Sequence, residues 1–276
     1  MTPDQFLAAL TGSDDVLLMG VVNVTPDSFS DGGRYYELDV AVAHGLRLVS
    51  EGADIVDVGG ESTRPGAPPV GLEEELRRVV PVVRDLAASG IAVSIDTRHP
   101  EVAEAAVTSG ACLVNDVSGL RNPAMRAVAA RHGVPAVAMH MPVDDPAVMQ
   151  RHTDYVDVVD DVVAFLRDHA ALARAEGVPT VIIDPGIGFG KTVAQNVELV
   201  RRLDELVALG HPVLVGASRK RFIGVLTGVE QPEDRVAGTL AVHLASIQRG
   251  ARLVRAHDVQ AHRQALTMWM ATSLPR

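Results

Sequence analysis

The chain has 276 residues, 47% of them apolar, which is enough to fill one large core. A formal net charge of −10 argues against a broad nucleic-acid or acidic-membrane surface, because such surfaces need an excess of Lys and Arg. There is no run of about 18 apolar residues and no basic, apolar leader in MTPDQFLAALTGSDD, and the single Cys112 can form no internal disulfide, so a cytosolic protein is expected.

Short β-branched runs alternate with longer amphipathic stretches, the rhythm of βα units on a parallel sheet. Residues 1–15 stand before the first unit as an N-terminal extension. The first strand is expected over 16–24 and carries Asn23 at its end, with a helix at 39–51. The second, 54–59, contains Asp57, a carboxylate too costly to bury alone and therefore expected to orient a basic neighbour. Its helix, 72–89, opens on Glu73, Glu74 and Glu75, which suit a helix N-terminus. Strand 92–97 ends on Asp96 before a helix at 100–109, and strand 112–116 ends on Asn115 and Asp116 before a helix at 123–132. Strand 136–140 ends on His140, and a helix follows at 154–176. Strand 181–184 closes on Asp184 and runs through a glycine-rich turn to a helix at 194–209. Strand 213–217 leads to Ser218 and Lys220 with a helix at 233–249, and strand 252–256 leads through Arg255 to His257 with a helix at 259–272. Eight such units predict a single-domain α/β protein, a (β/α)8 TIM barrel over 1–276. An open doubly wound sheet fits less well, since no GxGxxG follows the first strand.

In such a barrel the C-terminal ends of the strands face the active-site mouth. Any one Asp or Asn there could cap a helix or shape a turn instead, but seven strands contribute together. Asp96, Asn115 and Asp184 suit the amino and amide edges of a flat heterocycle, whereas Asn23, Arg255 and His257 suit phosphate oxygens. GxSxG is absent, so covalent catalysis is disfavoured. DPGIGFGKT places Pro185 where a phosphate-binding loop needs glycine, and reads as a turn that brings backbone close to the pocket. The histidines show no HxxxH or HExxH, which disfavours a transition metal, and His132, His169, His211 and His243 are expected on helices or their exposed ends. Phe29 and Phe189 sit in polar, glycine-rich loops, where each either shapes a pocket or plugs its loop onto the rim.

MGVVNVTPDSFSDGG (19–33), GGESTRPG (59–66), DPGIGFGK (184–191), GASRKRFIG (216–224) and the RxHD run at 255–258 together make the chain resemble the dihydropteroate synthase family, from about Met19 to about Trp269. The resemblance implies a (β/α)8 barrel, commonly dimeric, that uses Mg²⁺. Its reaction condenses 6-hydroxymethyl-7,8-dihydropterin diphosphate with p-aminobenzoate to 7,8-dihydropteroate and diphosphate. It implies that Asp96, Asn115, Asp184 and Lys220 grip the pterin, while Asn23, Arg255 and His257 hold the diphosphate and Asn23 its Mg²⁺. Thr63, Arg64 and Pro65, with Phe29, Phe189 and Ser218, would shape the p-aminobenzoate pocket, and Asp57, Met139 and Gly216 complete the substrate-binding set. Asp96, Asn115, Asp184, Lys220, Arg255 and His257 are the implied catalytic set. The small residues of 27–33 suit a closing lid. The segment MHMPVDDP (139–146) departs from the family pattern, with Pro142 and no glycine. Two rival readings are a pterin-dependent methyltransferase with a corrinoid partner and a catalytically inactive pterin-binding paralogue. The intact SRK and RxHD residues speak against the first, and the presence of Asn23, Asp96, Lys220 and Arg255 against the second.

Overall fold

The computed structural model describes residues 1–12, 15–24, 34–61, 70–144 and 148–273. Eight parallel strands make the barrel: β1 (Leu17–Asn23), β2 (Ile55–Gly59), β3 (Val93–Asp96), β4 (Leu113–Asp116), β5 (Ala136–Met139), β6 (Val181–Asp184), β7 (Leu214–Val215) and β8 (Leu253–Ala256). Consecutive strands pair from β1 to β6, and β8 pairs with both β7 and β1. The seam between β6 and β7 closes through one bridge, Ile183 to Val213, with the Ile183 N–H donating to the Pro212 carbonyl at 2.9 Å. The fold is the expected TIM barrel, and no described helix is long and apolar enough to cross a membrane.

The helices are α1 (Pro3–Gly12), α2 (Arg34–Ser50), α3 (Leu72–Ala88), α4 (Pro100–Thr108), α5 (Pro123–His132), α6 (Val158–Ala175), α7 (Val193–Arg201), α8 (Leu203–Val207), α9 (Arg221–Thr227), α10 (Val236–Gln248) and α11 (Val259–Ser273). Helix α6 begins later than expected because Asp157 caps it, accepting from the Val159 and Asp160 N–H groups. The helix expected at 194–209 is two. Thr192 and Gln195 open α7 with a reciprocal capping box, and the chain breaks at Arg202, whose guanidinium binds Asp157 and Glu205. The stretch expected as one helix from 233 starts as a 3₁₀ turn, Pro232–Arg235, ahead of α10. Helix α9, absent from the expected elements, is one short segment ended by Gly228 at φ 75°.

Two apolar layers hold the barrel together. The larger lies between strands and helices and includes Leu18, Val56, Ile95, Val114, Ile183 and Val254. The smaller fills the lower interior with Met19, Ile55, Leu113, Val137, Ile182, Leu214 and Leu253, and receives Phe6 and Leu10 of α1. The segment expected as a mere extension therefore plugs the bottom of the barrel. Phe6 is 0% exposed, and Met1 adds a backbone contact by accepting the Ala92 N–H at 3.1 Å. Arg252 ties the plug down through the carbonyls of Ala9 and Asp15.

Candidate active site

Side chains alternate along a strand, so residues two apart share a face. Met19, Ile55, Ala92, Leu113, Val137, Ile182, Leu214 and Leu253 face the lower interior. Two residues nearer the mouth, the same faces carry Val21, Asp57, Ser94, Asn115, Met139, Asp184, Gly216 and Arg255. One more step brings Asn23, Gly59, Asp96 and His257. The interior thus turns from apolar to polar within a single repeat of the pleat.

The centre of this polar tier is one guanidinium between two carboxyl groups. Arg255 Nε donates to Asp57 Oδ2 at 2.7 Å, and Nη2 donates to Asp96 Oδ2 at 2.8 Å. Asn115 Nδ2 also donates to Asp57 Oδ2, at 2.9 Å. Asp57 is thereby paired with a basic neighbour as its burial requires, and Arg255 is joined directly to Asp96, from which residue type alone had separated it. Asp57 Oδ1 and Ser94 Oγ are buried without a partner among the described residues, and their residues stand opposite each other in the register. Burial pushes the Asp96 carboxyl up to about 7, against the pull of Arg255 and with added repulsion from Asp57. Burial likewise pushes Asp184 up to about 6, opposed by the Gly186 N–H at 2.7 Å and by Lys220, Lys191 and Arg255. Carboxyl groups tuned to this range can either donate or accept toward a heterocycle edge. Asp116, by contrast, caps its own turn, accepting from the Ser118 and Leu120 N–H groups.

The turn after β6 is built on Lys191, the last residue of the glycine-rich run at 184–191. Its buried ammonium donates to the carbonyls of Gly186 and Phe189, both at 2.9 Å, and lies 3.0 Å from His140 Nδ1. Burial lowers Lys191 to about 7 despite the attraction of Asp184, and lowers His140 to about 2, so the bare Nδ1 accepts. The turn passes so close to β5 that a Cβ on Gly186, at φ +65°, would lie 1.9 Å from the His140 carbonyl oxygen. Phe189 packs with Val117, Met139, Met141 and Met149, and Lys220 Nζ lies 4.0 Å over its ring. Phe189 therefore packs its loop down and also carries the Lys220 ammonium on its ring face. Pro142, the departure from the family pattern, abuts Gly190, where a side chain would collide with its ring.

Across the mouth, Ser218 Oγ accepts the His257 N–H at 3.2 Å and lies 3.0 Å from His257 Nδ1. Arg219 takes φ +60°, with both Nε and Nη2 on the Asp258 carboxylate. Gly216 opens toward the centre, since a Cβ there would meet Arg255 Cβ and Asp184 Oδ2, each at 3.9 Å. Of two histidines expected on helices or their exposed ends, His243 lies inside and His169 is half-buried on α6. His243 is 1% exposed and accepts the Ala217 N–H, and His169 stacks on Phe165 at 4.0 Å. For His243 the difference is a buried backbone donor contributed by a distant segment, whereas the ring against His169 stands one turn earlier on the same helix, α6.

At the rim, Glu61 accepts from the Val70 N–H and from Arg98 Nε, bracing both ends of segment 62–69. Glu75, a first-turn acid of α3 as expected, is 0% exposed and binds His99 Nδ1 at 2.6 Å. Glu61, Glu75 and His99 place ligand-type atoms within 4.8 Å of one another; hydrogen bonds engage all three side chains, and Glu75 Oε1 is buried without a partner among the described residues. Asn23 ends β1 opposite Gly59 at the mouth. Phe29, Thr63, Arg64, Pro65 and the expected lid at 27–33 lie outside the described residues.

The chain matches the pterin-binding enzyme family over residues 19–257. Dihydropteroate synthase of Mycobacterium leprae is 50% identical, with 91% of each chain covered. A probable bifunctional folylpolyglutamate synthase/dihydropteroate synthase of Haloferax volcanii is 45% identical over 95% of this chain, which spans 31% of that longer protein. Among solved structures, dihydropteroate synthase of Thermus thermophilus in complex with 4-aminobenzoate superposes with a TM-score of 0.86 at 55% identity, covering 94% of this chain and 95% of the other.

Proposed function

Because this chain belongs to the dihydropteroate synthase family of pterin-binding enzymes, we propose that its mouth joins 6-hydroxymethyl-7,8-dihydropterin diphosphate to p-aminobenzoate. The observation that carries this reading is the polar tier itself, in which Asp96, Asn115, Asp184 and Arg255 converge on one opening above an apolar floor. Asp96, Asn115 and Asp184 read the ring, with Lys220 over Phe189 at its edge and Met139 and Gly216 lining the space. Asp96 and Asp184, both raised by burial, can each donate to or accept from the nitrogens and amino groups of the ring edge.

Arg255, His257 and Asn23 hold the diphosphate. A guanidinium has five N–H donors, so Arg255 can keep Asp57 and still address phosphate oxygens. The bond between the pterin methylene and the diphosphate oxygen breaks with its electron pair on oxygen. The amine lone pair of p-aminobenzoate then forms the new C–N bond, and the amine proton leaves to diphosphate or solvent. An arylamine is unprotonated near neutral pH, so fixed donors aimed at the leaving group supply most of the rate gain and no strong base is required. Ser218 and Phe189, with Phe29, Thr63, Arg64 and Pro65, border the p-aminobenzoate side. The amide oxygen of Asn23 is a hard donor that fits Mg²⁺. When bound there, the ion would neutralise charge on the departing diphosphate.

The reading extends to a homodimer. Helices α9 and α11 both pack on α10 and carry exposed Val225, Leu226 and Met268, apolar side chains that suit burial against a second copy. The activity is tested by incubating purified protein with both substrates and Mg²⁺. Equal yields of dihydropteroate and diphosphate are expected, and pterin binding without product would overturn the assignment.

A further inference from the structure

Behind the mouth runs a chain of hydrogen bonds outside the chemistry just described. His243 on α10 and His262 on α11 are each 1% exposed. The Ala217 N–H donates to His243 Nε2 at 3.0 Å, His243 Nδ1 lies 2.9 Å from His262 Nε2, and His262 Nδ1 lies 2.7 Å from the Asp258 carbonyl oxygen. The two ends fix the protons between them. A carbonyl oxygen only accepts, so His262 carries its proton on Nδ1. An amide N–H only donates, so His243 Nε2 is bare. The proton between the rings therefore sits on His243 Nδ1, and His262 Nε2 accepts it. A further proton would set two donors face to face, and burial lowers both imidazoles and keeps them neutral.

This chain of bonds spans the backbone on either side of a functional pair. Ala217 precedes Ser218 and Asp258 follows His257, and Ser218 and His257 are themselves hydrogen-bonded. The turn between them and the helices is strained. Arg219, at φ +60°, is held by Thr239 Oγ1 on its N–H, by Arg235 on its carbonyl and by Asp258 on its guanidinium. A turn in that region without glycine depends on outside contacts to keep its shape.

We propose that His243 and His262 form a neutral, tautomer-locked relay that positions the Ser218–His257 pair, which makes them positioning residues of the diphosphate subsite. The proposal rests on the assignment of His257 to that subsite. It predicts more than stability, because a misplaced Ser218 or His257 weakens anion binding in protein that remains folded.

The test uses the full chain. Nitrogen-15 NMR of labelled histidine, assigned through His243→Gln and His262→Gln, should show both rings as neutral Nδ1–H tautomers at neutral pH. Calorimetric titration with inorganic diphosphate and Mg²⁺ supplies the second readout. His243→Leu should weaken binding roughly tenfold, and His243→Gln, whose amide oxygen can accept the Ala217 N–H, should recover most of it. An Nε2–H tautomer or an imidazolium at either ring overturns the relay, as does unchanged diphosphate affinity in folded His243→Leu. If His243→Leu does not fold, the wild-type tautomers decide alone. A wild-type protein with the predicted tautomers and titration but no dihydropteroate product supports the relay and sinks the proposed activity instead.

Discussion

The two ends of the barrel interior solve opposite problems with the same eight strands. At the bottom, Met19, Ile55, Leu113, Ile182 and Leu253 meet Phe6 and Leu10 in an apolar seal. Two residues higher, Asp57, Asn115, Asp184 and Arg255 bury groups that are expensive to remove from water unless paired. The lower tier favours folding directly. The upper tier is tolerated because Asp57, Asp96, Asn115 and Arg255 find partners on one another's strands and Asp184 finds one in the Gly186 N–H of its own turn. Stability and chemistry are thus separated by one step of the pleat, and substitutions in the two tiers should separate in the same way.

The largest effect is expected at the centre of the upper tier. Arg255→Met leaves Asp57 and Asp96 without their shared cation. Turnover should fall roughly a thousandfold, and breaking the buried pair should cost about 3–5 kcal/mol in urea unfolding. Phe6→Ala is the counterpart at the bottom. It should cost about 3–5 kcal/mol of stability while kcat/KM of the folded enzyme stays unchanged, and a loss of activity comparable to that of Arg255→Met would erase the contrast. Gly216→Val places a side chain between Arg255 and Asp184, at a residue whose backbone is not in the left-handed region. Pterin binding, read by titration, should weaken roughly a hundredfold with little movement of the unfolding midpoint.

A further effect is one of pH. Asp96 is raised to about 7 and Asp184 to about 6, from an ordinary value of 3.8. Between those values the folded chain holds protons that the unfolded chain has released. The stability these groups contribute is therefore fully present below 3.8 and is lost as pH rises through about 6 and about 7. Urea midpoints across that window should fall with rising pH, and Asp96→Asn should flatten the upper part of the fall. A slope unchanged by Asp96→Asn would place the titration elsewhere.

The strands, the barrel and most of the polar tier were legible because they are local. β-branched runs, glycine turns and a polar residue at each strand end are carried by a few neighbouring residues, and Asp57 announced its need for a partner by lying inside a strand. What the sequence did not disclose depends on distant segments meeting. The α1 plug, Phe6 on the floor formed by Ile55 and Leu253, has no local signature. Lys191 has no local signature either, because its acceptors on Gly186 and Phe189 are made by turn geometry, with His140 supplied from the end of another strand. His243 looked like a surface residue on α10 because its partners, Ala217 and His262, come from other elements. Helix boundaries slipped where a single side chain decides them, as Asp157 does for α6 and Arg202 for the break between α7 and α8.

The measurement that bears most directly on the division between the two tiers is calorimetric titration of purified protein with p-aminobenzoate, with and without diphosphate and Mg²⁺, on wild type and Arg255→Met. If the upper tier holds the anion and the anion completes the pocket, p-aminobenzoate binding will appear only with diphosphate present and will be lost in Arg255→Met. Binding that is indifferent to the anion and unaltered in Arg255→Met would contradict the account.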